Sequence, residues 1–120
     1  MEDKYHYIGS LEELNKVAIY LQKFKCLAID IENHSEYSYE GFISLIQITT
    51  PEYDTYLVDP LVLKDLIFEC LGPIFINQNI VKIFHGGINS DVGWLQRDYG
   101  ICVNNFIDTQ EMHRKFVKVG

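Results

Sequence analysis

Three β-rich runs follow one another with short connections, and that succession constrains the fold more than any other feature. They are Cys26-Leu27-Ala28-Ile29-Asp30-Ile31-Glu32, then Phe42 to Thr49, then Thr55 to Asp59, with Pro51 and Pro60 closing the second and third. Parallel neighbours need a long crossover, so short links predict an antiparallel meander. Ahead of it, Ser10-Leu11-Glu12-Glu13 reads as a capping box. Leu11, Leu14, Val17, Ala18 and Leu21 then recur at helical spacing, which predicts a helix over 11–23. After the meander the pattern changes. Val62 to Leu71 predicts a helix punctuated by Gly72-Pro73, with a further helical turn toward Asn77. Ile80 to Phe84 reads as a fourth strand. His85-Gly86-Gly87 leads from it to Asn89 or Ser90, either of which caps a helix running to about Tyr99, with Gly100 at its C′ position. Val103 to Ile107 is expected as a fifth strand and Gln110 to Val117 as a final helix.

The order of elements implies an α/β chain, a mixed sheet flanked by helices in the layout of a ribonuclease H-like fold. With 120 residues, 48% of them hydrophobic, the chain fits one compact domain and is too apolar for a disordered one. No apolar run reaches the roughly 18 to 20 residues of a membrane span. Met1-Glu2-Asp3-Lys4 lacks the basic start and apolar stretch of a signal peptide, so an intracellular protein with no membrane association is expected. Cys26, Cys70 and Cys102 are odd in number and widely spaced, so buried reduced thiols are expected rather than a disulfide framework or a zinc knuckle. The formal net charge of −7 argues against a non-specific nucleic-acid binder, which needs a basic face. It leaves open an enzyme that clusters carboxylates around divalent cations, because there the metals supply the positive charge.

The chemistry lies in acids placed where a strand should be apolar. Strand alternation puts Asp30 and Glu32 on one face. Two carboxylates a pleat apart repel unless a cation lies between them, and hard divalent ions prefer such oxygen ligands. An isolated D-x-E is short and common, and by itself is more often a hydrated strand end. Asp91, in the first turn of a predicted helix, is equally well explained by the helix dipole. His34 and His85 have no second imidazole at zinc-ligand spacing and read as structural or supporting groups. Trp94 on its own is as readily a core residue as a functional one.

Longer strings decide among these readings. Asp30-Ile31-Glu32-Asn33-His34-Ser35, Tyr39-Glu40-Gly41 and Leu45-Ile46-Gln47-Ile48-Thr49 resemble the first exonuclease motif of the ribonuclease D group. Val81-Lys82-Ile83-Phe84-His85-Gly86, Ser90-Asp91 and Trp94-Leu95-Gln96-Arg97-Asp98-Tyr99-Gly100 resemble its second motif, and Phe106-Ile107-Asp108-Thr109 matches the segment that follows. The chain is thereby identified as a member of the DEDD superfamily of 3′→5′ exonucleases, similar above all to the exonuclease branch of the nuclear RNA exosome. The resemblance runs from about Cys26 to Phe116.

That resemblance implies a single, partial exonuclease domain over residues 1–120, incomplete at the C-terminus. It would hydrolyse the terminal phosphodiester of RNA by a two-metal-ion mechanism, in RNA processing and decay. The resemblance makes Asp30, Glu32 and Asp91 both catalytic groups and ligands of two Mg²⁺ or Mn²⁺ ions, with Asp30 bridging the pair. Glu32 and Asn33 match positions near the terminal nucleotide, where relatives commonly have histidine in place of Asn33, and Trp94 matches one whose ring packs against it. Implied partners are an RNA 3′ end and subunits of the nuclear exosome, in the nucleus or nucleolus; the oligomeric state stays open. The family's third motif, carrying a fourth carboxylate and a tyrosine, has no counterpart in Gln110 to Gly120. Two other readings follow from that departure and from the superfamily: a non-catalytic ribonuclease H-like module that binds RNA or protein, and a DNA exonuclease. This 120-residue form by itself is expected to trim RNA little or not at all. Robust Mg²⁺-dependent shortening of a 5′-labelled single-stranded RNA by it would show that another group replaces the third motif.

Overall fold

The computed structural model describes residues 4–34, 42–85 and 88–110, with 33, 34, 42 and 88–90 described by backbone alone. In chain order the elements are β1 (Lys4–Ile8), α1 (Leu11–Leu21), β2 (Cys26–His34), β3 (Phe42–Thr49), β4 (Asp54–Val58), α2 (Pro60–Leu63), α3 (Leu66–Ile76), β5 (Val81–Phe84), α4 (Ile88–Tyr99) and β6 (Phe106–Asp108). Among the described residues the strands form one six-stranded sheet in the order β1-β4-β3-β2-β5-β6. The expected meander is there, with β2–β3 and β3–β4 antiparallel. The pairs β1–β4, β2–β5 and β5–β6 are parallel, so the sheet is mixed and helices flank it. Strand β2 is where the pairing changes sense, antiparallel to β3 on one side and parallel to β5 on the other.

Local chemistry explains most boundaries. Ser10 caps α1, its Oγ accepting from the Glu13 amide at 3.3 Å while Glu13 Oε1 accepts from the Ser10 hydroxyl at 2.9 Å. The buried stripe of α1 is Leu14, Val17, Ala18 and Leu21, and the helix ends two residues before the expected 23. Pro60 opens the short α2, preorganised for a first helical position, with Asp59 Oδ1 accepting from the Leu61 amide at 3.0 Å. The single helix expected over 62–71 is instead two. Lys64, at φ 49°, breaks the chain between α2 and α3, and α3 runs straight through Gly72-Pro73 to Ile76. Burying Ile67, Leu71, Ile74 and Phe75 completely outweighs the hydrogen bond that Pro73 cannot donate.

At the other helix, α4 already begins at Ile88, ahead of either expected cap. Its end is as read: Gly100 sits at φ 66°, its amide donating to Gln96 O and that of Ile101 to Leu95 O. The fifth strand is shifted to Phe106–Asp108, and the helix expected over 110–117 lies beyond Gln110, outside the described residues. Strand β1 had no sequence signature, because four of its five residues are exposed on a sheet edge. The cysteines are free but not buried as expected: Cys26 and Cys70 are half-buried and Cys102 is exposed. Among the described residues no helix is long and apolar enough to cross a membrane.

One core joins the sheet to its helices. Leu27, Ile29 and Ile31 of β2, Ile46 and Ile48 of β3 and Val58 of β4 bury against α1, α3 and Leu95 of α4. Inside it lies a cation. Lys82, in register with Leu27 and fully buried, points its ammonium at three backbone carbonyls: Ile80 O at 2.6 Å, Asn77 O at 2.8 Å and Ile74 O at 3.3 Å. Burial pushes this ammonium down to about 8, while three carbonyls at the end of α3 and in the loop after it satisfy its N–H groups. The side chain therefore fastens the end of α3 to the start of β5. Lys82→Met keeps the length and removes the donors, so all three carbonyls lose the ammonium. It is expected to lower unfolding free energy by roughly 2–4 kcal/mol, read by urea denaturation; an unchanged midpoint would show that the clamp contributes nothing net.

Candidate active site

The site grows from the outward face of β2. Leu27, Ile29 and Ile31 turn into the core, so Ala28, Asp30 and Glu32 turn outward and are exposed. Asp30 lies opposite Gln47 of β3 and Glu32 opposite Leu45. Gln47 reaches diagonally, its Nε2 donating to Glu32 Oε1 at 3.3 Å, which orients one carboxylate of the pair. Just beyond, the register shifts: Asn33 faces Ile43, so Ser44 is the extra residue of a bulge, and its hydroxyl donates to Glu32 O at 3.3 Å. A bulge here re-aims the strand where it passes the acids. The Asn33 side chain falls outside the described residues.

Strand β5 runs parallel beside β2 and delivers α4 to the same corner. Asp91, in the first turn of α4, is only 8% exposed. Its carboxyl is pushed up to about 6, first by burial, then by the negative charges of Asp30 and Asp108. Asp30 and Asp91, remote in sequence, thus act on each other electrostatically. Asp108 is itself buried, lies opposite Phe84 across β5–β6, and accepts from the Gln110 amide at 2.9 Å. Over β2, beside Asp30 and between β3 and β5, opens a cleft of about 400 Å³ lined by Ala28, Asp30, Gln47, Thr49, Ile83 and His85, among others. His85 is exposed, its Nδ1 2.6 Å from the Thr109 hydroxyl, which also donates to Phe84 O at 3.3 Å.

Helix α4 carries a second set of contacts one turn on. Asp91, Leu95 and Asp98 recur along one helical stripe, with Trp94 beside them, half-buried against the core. The Arg97 guanidinium lies over the Trp94 ring, 4.1 Å from its centre, and Arg97 Nε pairs with Asp98 Oδ1 at 2.7 Å. Asp98 Oδ2 accepts from the Ile43 amide at 3.2 Å, so α4 is tied to β3 beside the bulge.

The donor set fits hard divalent cations such as Mg²⁺ or Mn²⁺. Every candidate ligand is a carboxylate oxygen, among the described residues no lysine or arginine lines the cleft, and Asp91 holds its proton up to about pH 6, first because it is buried and then because Asp30 and Asp108 are near. Among the described residues no three such groups converge as a ready-made ion site, so the acids share a corner without closing on one point. Sequence reasoning had not singled out Asp108 or Gln47. For Asp108 the cue was present: an acid ending the apolar run Phe106-Ile107, the same anomaly that marked Asp30. Gln47 carried none, since its role depends on the register of β3 against β2.

Comparison with known proteins agrees with this geometry. A family model described as 3′-5′ exonuclease matches residues 5–119. The chain belongs to that family of 3′→5′ exonucleases. Protein RRP6-like 3 from Arabidopsis thaliana is 45% identical over 109 residues, covering 91% of this chain and 12% of that protein. The exosome complex exonuclease RRP6 of Saccharomyces cerevisiae is 41% identical over 103 residues, 86% of this chain and 14% of that one. The crystal structure of the catalytic core of RRP6 from Trypanosoma brucei superposes with a TM-score of 0.82 at 36% identity, over 89% of this chain and 29% of that one. The resemblance read from the two motifs is borne out, and the chain spans only about an eighth of the length of these curated relatives.

The acid corner should show itself in stability. Asp91 has a folded-state pKa above its unfolded value. Its contribution to stability is fully present below about pH 4 and lost as pH rises through about 6. With divalent cations chelated at pH 7, Asp91→Asn is therefore expected to raise the melting temperature by about 3–6 °C. At pH 4 the gain should vanish. A variant no more stable than the parent at pH 7 would mean that Asp91 carries no electrostatic penalty.

Proposed function

We infer that this chain forms the part of a 3′→5′ exoribonuclease domain that carries three of its four metal-binding carboxylates, acting on single RNA 3′ ends. The observation that carries the reading is the meeting of Asp30, on the outward face of β2, with the buried Asp91 of α4. Their charges bear on each other, and among the described residues no lysine or arginine lines the cleft beside Asp30. An acid corner of this kind, destabilising when empty of cations, is the cost of a site whose charge is balanced from outside.

Asp30, Glu32 and Asp91 would hold two Mg²⁺ or Mn²⁺ ions, which supply charge neutralisation at the scissile phosphate and a nucleophile at neutral pH. Asp30, which lines the cleft, would serve as a ligand to both ions. Glu32, with one oxygen taken by Gln47, keeps its other oxygen to accept from the terminal 3′-OH, which favours cleavage at an end over internal cleavage. Asn33 follows on the bulged strand end near the same nucleotide. Trp94 offers an aromatic ring for the terminal base. Exosome subunits as partners, a place in RNA processing and decay, and a nuclear or nucleolar site of action follow from the kinship with exosome exonucleases. A non-catalytic ribonuclease H-like module that binds RNA or protein is the second reading.

The test is a time course on 5′-labelled RNA and a matched DNA, with Mg²⁺, Mn²⁺ or EDTA, using this chain and a C-terminally extended form. The extended form is expected to give a metal-dependent ladder shrinking from the RNA 3′ end, and Asp30→Asn to abolish it with the fold intact. Wild-type turnover by that variant would sink the assignment of Asp30. Preferential degradation of the DNA would make it a DNA exonuclease instead. No cleavage by a folded extended form would leave the binding module.

A further inference from the structure

The ladder between β3 and β4 ends at the pair Ile46–Val58. Upstream of it, β3 has lost its strand partner on that side, yet the Ile43 amide still finds an acceptor, Oδ2 of Asp98 from α4. A carboxylate thus stands in for the missing strand at the place where the β2–β3 register slips past Glu32 and Asn33. The same carboxylate holds Arg97 by its Nε, and the Arg97 guanidinium covers the Trp94 ring. One side chain therefore ties the bulged β3 strand, just past Glu32, to the stretch of α4 that carries Trp94.

We propose that Asp98 is a positioning residue that sets the width of the terminal-nucleotide gap, holding the bulged β3 end through Ile43 and the Trp94 ring through Arg97. The proposal rests on the reading that Glu32, Asn33 and Trp94 flank the 3′-terminal nucleotide. Its chemistry is specific. A carboxylate has two oxygens and accepts from both donors at once, whereas a carboxamide in the same place accepts from one and turns an NH₂ toward the other. Arg97 lies over one face of the ring, 4.1 Å from its centre, and an aromatic ring fixed in this way loses little freedom when a base stacks on it. Asp98 itself touches no substrate. Its side chain is 18% exposed and both oxygens are occupied.

Trp94 is the single tryptophan of the 120 residues, so its emission reports on this contact chain whether or not RNA is cleaved. The test compares the chain with Asp98→Asn, following emission and its quenching by GMP in Mg²⁺, with far-UV circular dichroism to establish folding. The expected result is a changed Trp94 emission maximum and roughly five-fold weaker GMP binding in a variant with unaltered secondary structure. Should Asp98→Asn fail to fold, Arg97→Lys, which keeps the charge but not the planar stack, is expected to weaken GMP in the same direction. A folded variant that binds GMP within twofold of the parent overturns the proposal, as does a parent whose Trp94 emission ignores GMP. An extended form that fails to cleave RNA while GMP binding still depends on Asp98 would defeat the nuclease reading and leave the positioning role standing.

Discussion

Everything in this structure depends on β2 serving two environments at once. One side of the strand is Leu27, Ile29 and Ile31 in the core; the other is Ala28, Asp30 and Glu32 toward solvent. Such a strand has no tolerance for slippage, because a shift of one residue would bury two carboxylates and expose three aliphatic side chains. Its ladders, antiparallel to β3 and parallel to β5, fix the register on both sides. The acids are held by the same hydrophobic alternation that makes the core, so the site needs no separate scaffold.

The cost of that arrangement is electrostatic and falls on Asp91. The helix that carries it is drawn into the core through Leu95 and Ile101, and burial brings the carboxyl beside Asp30 and Asp108. In a protein free to optimise stability alone, one of these acids would be an amide or an apolar residue. Their meeting at one corner is a relation that the D-x-E spacing alone could not reveal. The burial of Lys82 has a different logic. Its charge is matched at once by three carbonyls at the end of α3 and in the loop after it, and it secures the start of the strand that leads to α4.

Elements whose signal is local were legible from residues alone. The Ser10–Glu13 capping box, the α1 stripe, the three strands of the meander and the left-handed Gly100 each depend on neighbours within a few positions. Elements that depend on distant burial were not. Gly72-Pro73 carries a local stop signal, overridden by four side chains that reach the core. Strand β1 carries no amphipathic pattern, because the edge of the sheet asks only for backbone partners, supplied by β4. The cysteines were expected inside from their average habits, but their positions at a strand start, on a helix flank and in a loop keep them at or near the surface.

By itself, then, the sequence determined α1 and the three strands of the meander, the shared face of Asp30 and Glu32, and the family, through strings long enough to be specific. Alternation along a strand and period along a helix are properties of the chain, readable without knowing what lies across from it. Only the tertiary structure decided that Asp30 and Asp108 act on Asp91, that Gln47 orients Glu32, and that Asp98 accepts from the Ile43 amide beyond the end of the β3–β4 ladder. Those relations join residues from about 15 to 60 positions apart. They exist because strand register and helix packing bring side chains together through the burial of other residues, and no spacing along the chain encodes a distance across a sheet.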